Sequence, residues 1–411
     1  MKQVIIFWMK TQGSSLRGCF LAALLILVIL IFIPIGIKLA NPDRTIATPV
    51  TPPQVSHPFE QPAHSRKPVQ AGLNVVYAET DPSLKSTTLW ALAVGHPSQP
   101  QKIISLAHKT GKPLSSKVSP DGTQIAVLQI PADSSREYEG TLWLVDLAGA
   151  KPRSIASRVT FLGSWSNDSR SFVYGKKAEI GASANPGAAL RFELWQTDLS
   201  NGESRLMVAM DSARDLLPLG WASMDGRFYL GMINMEGQWS VRGWNPTSGK
   251  IDREMALPEG QNIRTLTLSP DGKKLLIEYN QSAQAVLALV DLDGTGFQPL
   301  LSESSTGSSP SFTALWSSDS SQLLIANPPG FSSKTFEQLD IASLKSDPIP
   351  VEEDLSLLGW SPDRAWIVVQ QAGSQNPEIC LLNRQTGKMT ALAQAVPQSH
   401  LSFAGWIVSP G

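Results

Sequence analysis

The sequence predicts an all-β protein, a seven-bladed β-propeller of four-stranded antiparallel blades, preceded by one transmembrane helix and a Pro-rich linker. Three observations predict it. A Ser-x-Asp phrase recurs six times between Ser119 and Arg364. Each copy is followed by short apolar runs broken by turn residues. The runs at the two ends of the region are complementary fragments of one further unit.

The six phrases are Ser119-Pro120-Asp121-Gly122, Ser166-Asn167-Asp168-Ser169, Ser223-Met224-Asp225-Gly226, Ser269-Pro270-Asp271-Gly272, Ser317-Ser318-Asp319-Ser320 and Ser361-Pro362-Asp363-Arg364. Their Asp residues stand 47, 57, 46, 48 and 44 positions apart. A period of about 40 to 50 residues is the spacing of propeller blades. A tight turn leaves backbone N–H groups without partners. An Asp carboxylate accepts from the amide two residues on, Gly tolerates positive φ and Pro pre-sets φ. The phrase therefore reads as turn chemistry, and a ring of identical turns holds its carboxylates too far apart to share a metal ion.

After each turn comes an apolar strand such as Ile125-Ala126-Val127-Leu128 or Leu275-Leu276-Ile277. A third strand follows, as in Leu142–Leu147 and Leu287–Leu292, then a Gly- or Asn-bearing turn and a short fourth strand such as Arg205–Val208. Four short strands per period make one blade. Asn74–Ala78, Leu89–Val94 and Lys102–Leu106 match the second, third and fourth strands of a blade that lacks its first. Leu401–Trp406 matches a first strand with nothing after it. Splicing the two fragments gives a seventh blade and ties the ring's seam with backbone hydrogen bonds. Trp165, Trp316 and Trp360 stand three residues before their Asp and Trp221 four before, while Val118 and Leu268 fill that place elsewhere. A slot that accepts Val, Leu or Trp is a packing position.

The chain has 411 residues, 34 basic and 35 acidic. Lys2, Lys10, Arg17 and Lys38 stand in the first 40 residues without any acid, so the remainder is mildly acidic and has no basic face for nucleic acid. Residues 1–17 read as a short cytoplasmic tail, 18–39 as the transmembrane helix, 40–72 as a Pro-rich disordered stalk and 73–411 as the propeller. Gly18 to Ile37 is uncharged over 20 residues, which at about 1.5 Å per residue matches a hydrocarbon core of about 30 Å. A cleaved signal peptide is the other reading, but the apolar run exceeds its usual length of about 7 to 15 residues. The excess of positive charge before the run places the N-terminus in the cytoplasm and the propeller outside it, periplasmic or on the cell surface. Pro42, Pro49, Pro52, Pro53, Pro58, Pro62 and Pro68 make the following segment a semi-rigid spacer. Cys19 and Cys380 fall in the membrane run and in a strand, so they form no disulfide framework.

The Ser-Pro-Asp-Gly phrases, best at Ser119–Ile125 and Ser269–Leu275, resemble the repeat of TolB-type propellers over residues 73 to 411. The resemblance implies an envelope protein that works with partners. It implies none of that family's particular partners, because here an anchor and stalk stand in place of its N-terminal domain.

No nucleophile elbow, His-Glu-x-x-His pair or phosphate-binding Gly loop is present. Candidate binding residues fall on the rim away from the Asp turns, where the repeats differ in length and where variable loops carry recognition. They are Arg136 and Tyr138 in one insertion, Lys177 in a second spanning 176–190, Arg214 and Asp215 in a third, and Phe331 beside Pro328-Pro329-Gly330. His108 and His400 belong to neighbouring connections of that rim and read as solvated loop residues, whereas His96 faces the other way. No cofactor or metal is expected. The function these features imply is a membrane-anchored, extracytoplasmic scaffold that binds a protein or a cell-wall polymer. The alternative is a propeller hydrolase or lactonase with its site at the central channel.

Overall fold

The computed structural model describes residues 72–409, apart from the segments 97–98, 133–138, 150, 180–189, 211–212, 258–261, 282–283, 305–311, 327–334, 352–354, 372–377 and 395–398. The expected tail, transmembrane run and linker up to residue 71 lie outside the described residues. Among those described, no helix is long and apolar enough to cross a membrane.

Seven four-stranded antiparallel sheets form the seven blades. Blade 1 is the composite one: Gly72–Thr80, Ser86–Ala93 and Gln101–Ala107 carry His400–Ser409 on their inner side. Blades 2 to 7 then follow in chain order over 115–159, 161–210, 213–256, 262–304, 313–350 and 355–394. The expected splice is therefore present. Val75 pairs with Trp406 and Tyr77 with both Phe403 and Trp90, around one bulge between Val76 and Tyr77. Gly405 has φ +149 beside that bulge, and a Cβ there would meet the Val118 side chain of blade 2 at 2.7 Å. On the other flank Phe403 lies where a Cβ on Gly359 of blade 7 would come, 2.5 Å away. The closing strand is thus wedged between both neighbours.

Every blade interior is buried on both faces, which is why its strands read as continuous apolar runs. Ile125, Val127, Trp143 and Val145 of blade 2 pack on Val76, Leu89, Ile104 and Ile407 of blade 1. The alternate residues Ala126, Leu128, Leu142 and Leu144 pack on Phe172 and Tyr174 of blade 3. Trp90, Trp143, Trp195 and Trp244 each sit at a bulge between third and fourth strands. A bulge increases local twist and turns the outer strand away from its neighbour.

The Asp turns share one construction. The Ser119 hydroxyl donates to Asp121 at 2.6 Å and accepts the Gln124 amide at 2.9 Å, while Asp121 accepts the Thr123 amide at 3.0 Å. The same three bonds recur at Ser166, Ser269, Ser317 and Ser361. The fourth residue is left-handed in each, even where it is Ser169, Ser320 or Arg364. Neighbouring turns are stitched together. The Asp121 amide donates to Ser169 at 3.1 Å and the Asp271 amide to Ser320 at 2.9 Å. Arg364 reaches Asp319 at 3.2 Å.

Blade 4 departs from this pattern. Its Ala222 amide bonds the Arg227 carbonyl, as Ser119 bonds that of Gln124, so Ala222 occupies the serine place, fully buried. The left-handed residue moves one place on, to Gly226, whose amide reaches back four residues to Ala222 instead of three. Ser223 is displaced outward and bonds the Asp271 carbonyl of blade 5 at 3.1 Å. The phrase is present in blade 4 but slipped by one residue.

Candidate functional site

Three surfaces are open to a ligand: the rim of the second-to-third hairpins, the channel along the inner strands, and the rim of the Asp turns. The first holds the sequence-predicted residues. Arg136, Tyr138 and Phe331 lie outside the described residues. Arg214 and Asp215 belong to the inner strand Ala213–Trp221 and not to a loop. Asp215 is exposed, and its carboxylate accepts the Leu216 amide at 2.9 Å. Lys177 also lies within a strand, because the hairpin of Ser171–Glu179 and Leu190–Asp198 is nine residues long on each side and pairs as far as Leu190 with Glu179. Its ammonium stands 4.7 Å from the Phe192 ring centre.

On the other face of that hairpin Lys176 lies 4.8 Å over Trp195 and 5.7 Å over Tyr174. Burial pushes its ammonium pKa down, against the opposing pull of Glu193. Glu193 is mostly covered and takes Arg191 at 3.0 Å and the Trp195 indole N–H at 2.9 Å. Glu139 holds Arg158 of the same blade at 3.2 Å, leaving the arginine side chain 61% exposed. In both ion pairs the acid is more covered than its arginine. The result is a basic, aromatic-backed ledge on blades 2 and 3.

His108 and His400 do share a blade, but the expectation of two solvated loop residues is wrong for one of them. His400 is exposed and lies opposite Thr80. His108 is buried. Its Nδ1 lies 3.0 Å from the Lys109 carbonyl, which can only accept, so Nδ1 carries the hydrogen. Nε2 then accepts from the Thr87 hydroxyl at 2.9 Å, and Thr87 accepts from Thr80 at 2.9 Å. This imidazole is a fully bonded peg beneath the rim, and the short polar residues Thr80 and Thr87 were the signal for it.

In the channel, Lys117 on the inner strand of blade 2 donates to the Gly163 carbonyl of blade 3 at 2.6 Å. The side chain is exposed, yet desolvation lowers its pKa. Access to water combined with crowding by protein is what a channel wall imposes. Among the described residues, no three of His, Cys, Asp or Glu gather as a metal-holding group.

The third surface was not found from the sequence. On the Asp-turn rim a cavity of about 710 Å³ opens between blades 3 and 4. Asp168 and Arg170 line it from the blade 3 turn, Asp198, Glu203 and Arg205 from the outer hairpin of the same blade, and Trp221 from blade 4. The Ser166 hydroxyl and Arg170 amide hold Asp168 below its ordinary carboxylate pKa, and the Ser200 hydroxyl and amide do the same for Asp198. Gln196 grips Arg205 at 2.9 and 2.7 Å, and the guanidinium lies 5.0 Å over the Trp244 ring. The signal available in the sequence was Trp221 standing four and not three residues before its Asp.

No protein-family model matches the chain, and no curated protein matches it either. Solved structures do. A structure of prolyl endopeptidases is 13% identical with a TM-score of 0.58, covering 82% of this chain and 50% of that one. The periplasmic gluconolactonase PpgL of Pseudomonas aeruginosa is 14% identical with a TM-score of 0.52, covering 81% and 99%. TolB from Acinetobacter baumannii is 16% identical with a TM-score of 0.44, covering 80% and 66%. The chain thus spans about two thirds of the TolB chain and half of the endopeptidase chain. At such identities the likeness concerns the fold alone.

Proposed function

We propose that this chain is a membrane-tethered, extracytoplasmic propeller that acts as a binding scaffold, capturing a protein or cell-wall polymer on the hairpin rim. The observation that supports this reading most directly is where the chain enters and leaves the ring. Gly72 pairs with Ser409, and both lie at the Asp-turn end of their strands, opposite Thr80 and His400. The linker expected over residues 40–72 therefore joins the ring on the Asp-turn rim, where Gly72 already belongs to the strand Gly72–Thr80. The opposite rim carries the long blade 3 hairpin and the basic ledge of Arg158, Lys176, Lys177 and Arg191, and that rim is the capture surface in this reading. Acids more deeply covered than the arginines they hold favour a partner with an acidic surface, and paired charges of this kind steer encounter more than they add affinity. Arg136, Tyr138, Arg214 and Phe331 belong to the same reading as further contact residues.

Site-specific photo-crosslinking in intact cells tests it. A crosslinker at Lys177 is expected to attach one dominant extracytoplasmic partner, while one at Asp293, in an exposed turn of the opposite rim, attaches none. Equal labelling from the two positions, or none from Lys177, rules the reading out.

A further inference from the structure

The cavity between blades 3 and 4 has a structural cause. At the junction of blades 2 and 3 the turns are joined through Ser169, and at that of blades 5 and 6 through Ser320. The corresponding left-handed residue of blade 4 is Gly226, which has no hydroxyl. None of the hydrogen bonds made by turn 166–171 or turn 222–227 passes between them. The tryptophan before the turn crosses to the preceding blade from blade 3 but not from blade 4 or blade 6, where Trp221 and Trp316 both leave a buried indole N–H without a partner. The Trp165 indole of blade 3 reaches the Lys117 carbonyl of blade 2 at 3.0 Å. Packing agrees with the hydrogen bonds. A Cβ on Gly122 would meet the Val408 amide of the closing strand at 3.2 Å, and one on Gly272 would strike Ala222 at 2.2 Å. A Cβ on Gly226 meets nothing within 4 Å. The one-residue slip draws the blade 4 turn to blade 5 through Ser223 and leaves a gap toward blade 3.

Three of the polar groups along that gap are fixed before any ligand arrives. Asp168 and Asp198 each have one carboxylate oxygen held by a hydroxyl and an amide, while the second oxygen has no partner in the protein. Arg205 is clamped through Nε and Nη2 by Gln196, and Nη1 remains unbonded. The Glu203 carboxylate and the Arg170 guanidinium are exposed and make no side-chain hydrogen bond. Donors and acceptors thus line one cleft beside Trp221, where three carboxylates stand with two guanidinium groups, so the charges nearly cancel. A ligand of single charge gains little from such a field. A chain of hydroxyl groups, each both donor and acceptor, can satisfy every member, and an indole suits the C–H face of a ring. The volume lies within the range of about 300 to 1,000 Å³ usual for small-ligand sites. Groups already held in place reduce the ordering cost of binding.

We infer that the cleft between blades 3 and 4 is a binding site for a neutral oligosaccharide. This site is on the opposite rim from the partner-capture surface and does not depend on it. The test uses the full chain in lipid nanodiscs, titrated calorimetrically with tri-N-acetylchitotriose and, separately, with maltotriose. The two arms distinguish an amino-sugar glycan from a plain glucan. Binding of at least one sugar at about millimolar affinity or better is expected. Arg205→Ala and Glu203→Gln should each weaken it by about tenfold, a loss of ~1.4 kcal/mol. Gly226→Asn, a residue that tolerates left-handed backbone, should block it by filling the open space. Lys177→Glu on the other rim should leave it unchanged. Absence of heat with both sugars overturns the inference, as does binding that survives all three cleft substitutions in protein of unaltered thermal stability.

Discussion

Replacing Ser119 by Ala and, separately, Ser223 by Ala compares two residues that the repeat makes equivalent and the structure does not. Ser119 is buried and serves two bonds, one given to the Asp121 carboxylate and one taken from the Gln124 amide. A hydrogen bond to a charged group contributes about 1.5–3 kcal/mol, and an orphaned buried donor costs about 1–3 kcal/mol. Asp121 keeps the Thr123 amide and hydroxyl and some contact with water, so the two costs do not simply add. A loss of about 2–3 kcal/mol is expected. Ser223 makes one bond of comparable quality, at 3.1 Å to a carbonyl on the exposed rim, and its removal should cost only about 0.5–1 kcal/mol. With an unfolding entropy of about 2.1 cal/mol/K per residue over the roughly 340 residues of the ring, these become Tm shifts of about 3–4 °C and about 1 °C. Scanning calorimetry at neutral pH separates them, and urea midpoints supply an independent reading. A Ser223→Ala protein that loses as much as Ser119→Ala would refute the slipped register, and with it the explanation of why the cleft exists.

Other perturbations have equally definite outcomes. Ile407 in the closing strand is fully buried, and Ile407→Ala should cost about 2–5 kcal/mol by leaving a cavity at the seam, read as a lowered urea midpoint. A surface-like effect would show that the seam is not packed as described. Gly359→Ala would push a methyl group into the Phe403 ring and should cost about 1–3 kcal/mol. Adding Phe403→Leu should recover part of that loss, and no recovery in the double variant would count against the contact. Asp319 is held down to about 2, first by the Ser317 hydroxyl and then by the Ser321 hydroxyl and amide. Its folded pKa lies below an unfolded value near 3.9, so its stabilisation is present above about pH 4 and is lost as the pH falls toward 2. Asp319→Asn should therefore flatten the dependence of Tm on pH between about 4 and 2, and an unchanged slope would remove the carboxylate from that account.

The architecture was legible because blade turns are local. Ser-x-Asp fixes its own six residues through bonds within the turn, so the period could be read directly and the unpaired strands at Val75 and Leu401 could be joined on paper. The slip in blade 4 was legible in principle. The packing position just before the turn held its tryptophan, so in a turn no longer than the others Asp225 had to stand one place later. The cleft was not legible, because it arises from a bond that Gly226 fails to make to a different blade some 57 residues earlier. His108 was misjudged for a similar reason. Its partners Thr80 and Thr87 lie on other strands, and only the sheet brings their hydroxyls to its ring. Long hairpins were mistaken for loops where strand pairing simply continues past the rim, as at Lys177.

The entry of the chain into the ring at Gly72 carries a mechanical consequence. The chain enters the ring on the second strand of its blade, clasped by His400–Ser409 on one side and Ser86–Ala93 on the other. Tension arriving along that strand acts parallel to two ladders at once, so their bonds are loaded in shear and must yield together. An entry through an outermost strand would peel one bond at a time. The arrangement makes Gly72–Thr80 a joint that resists force along its own strand.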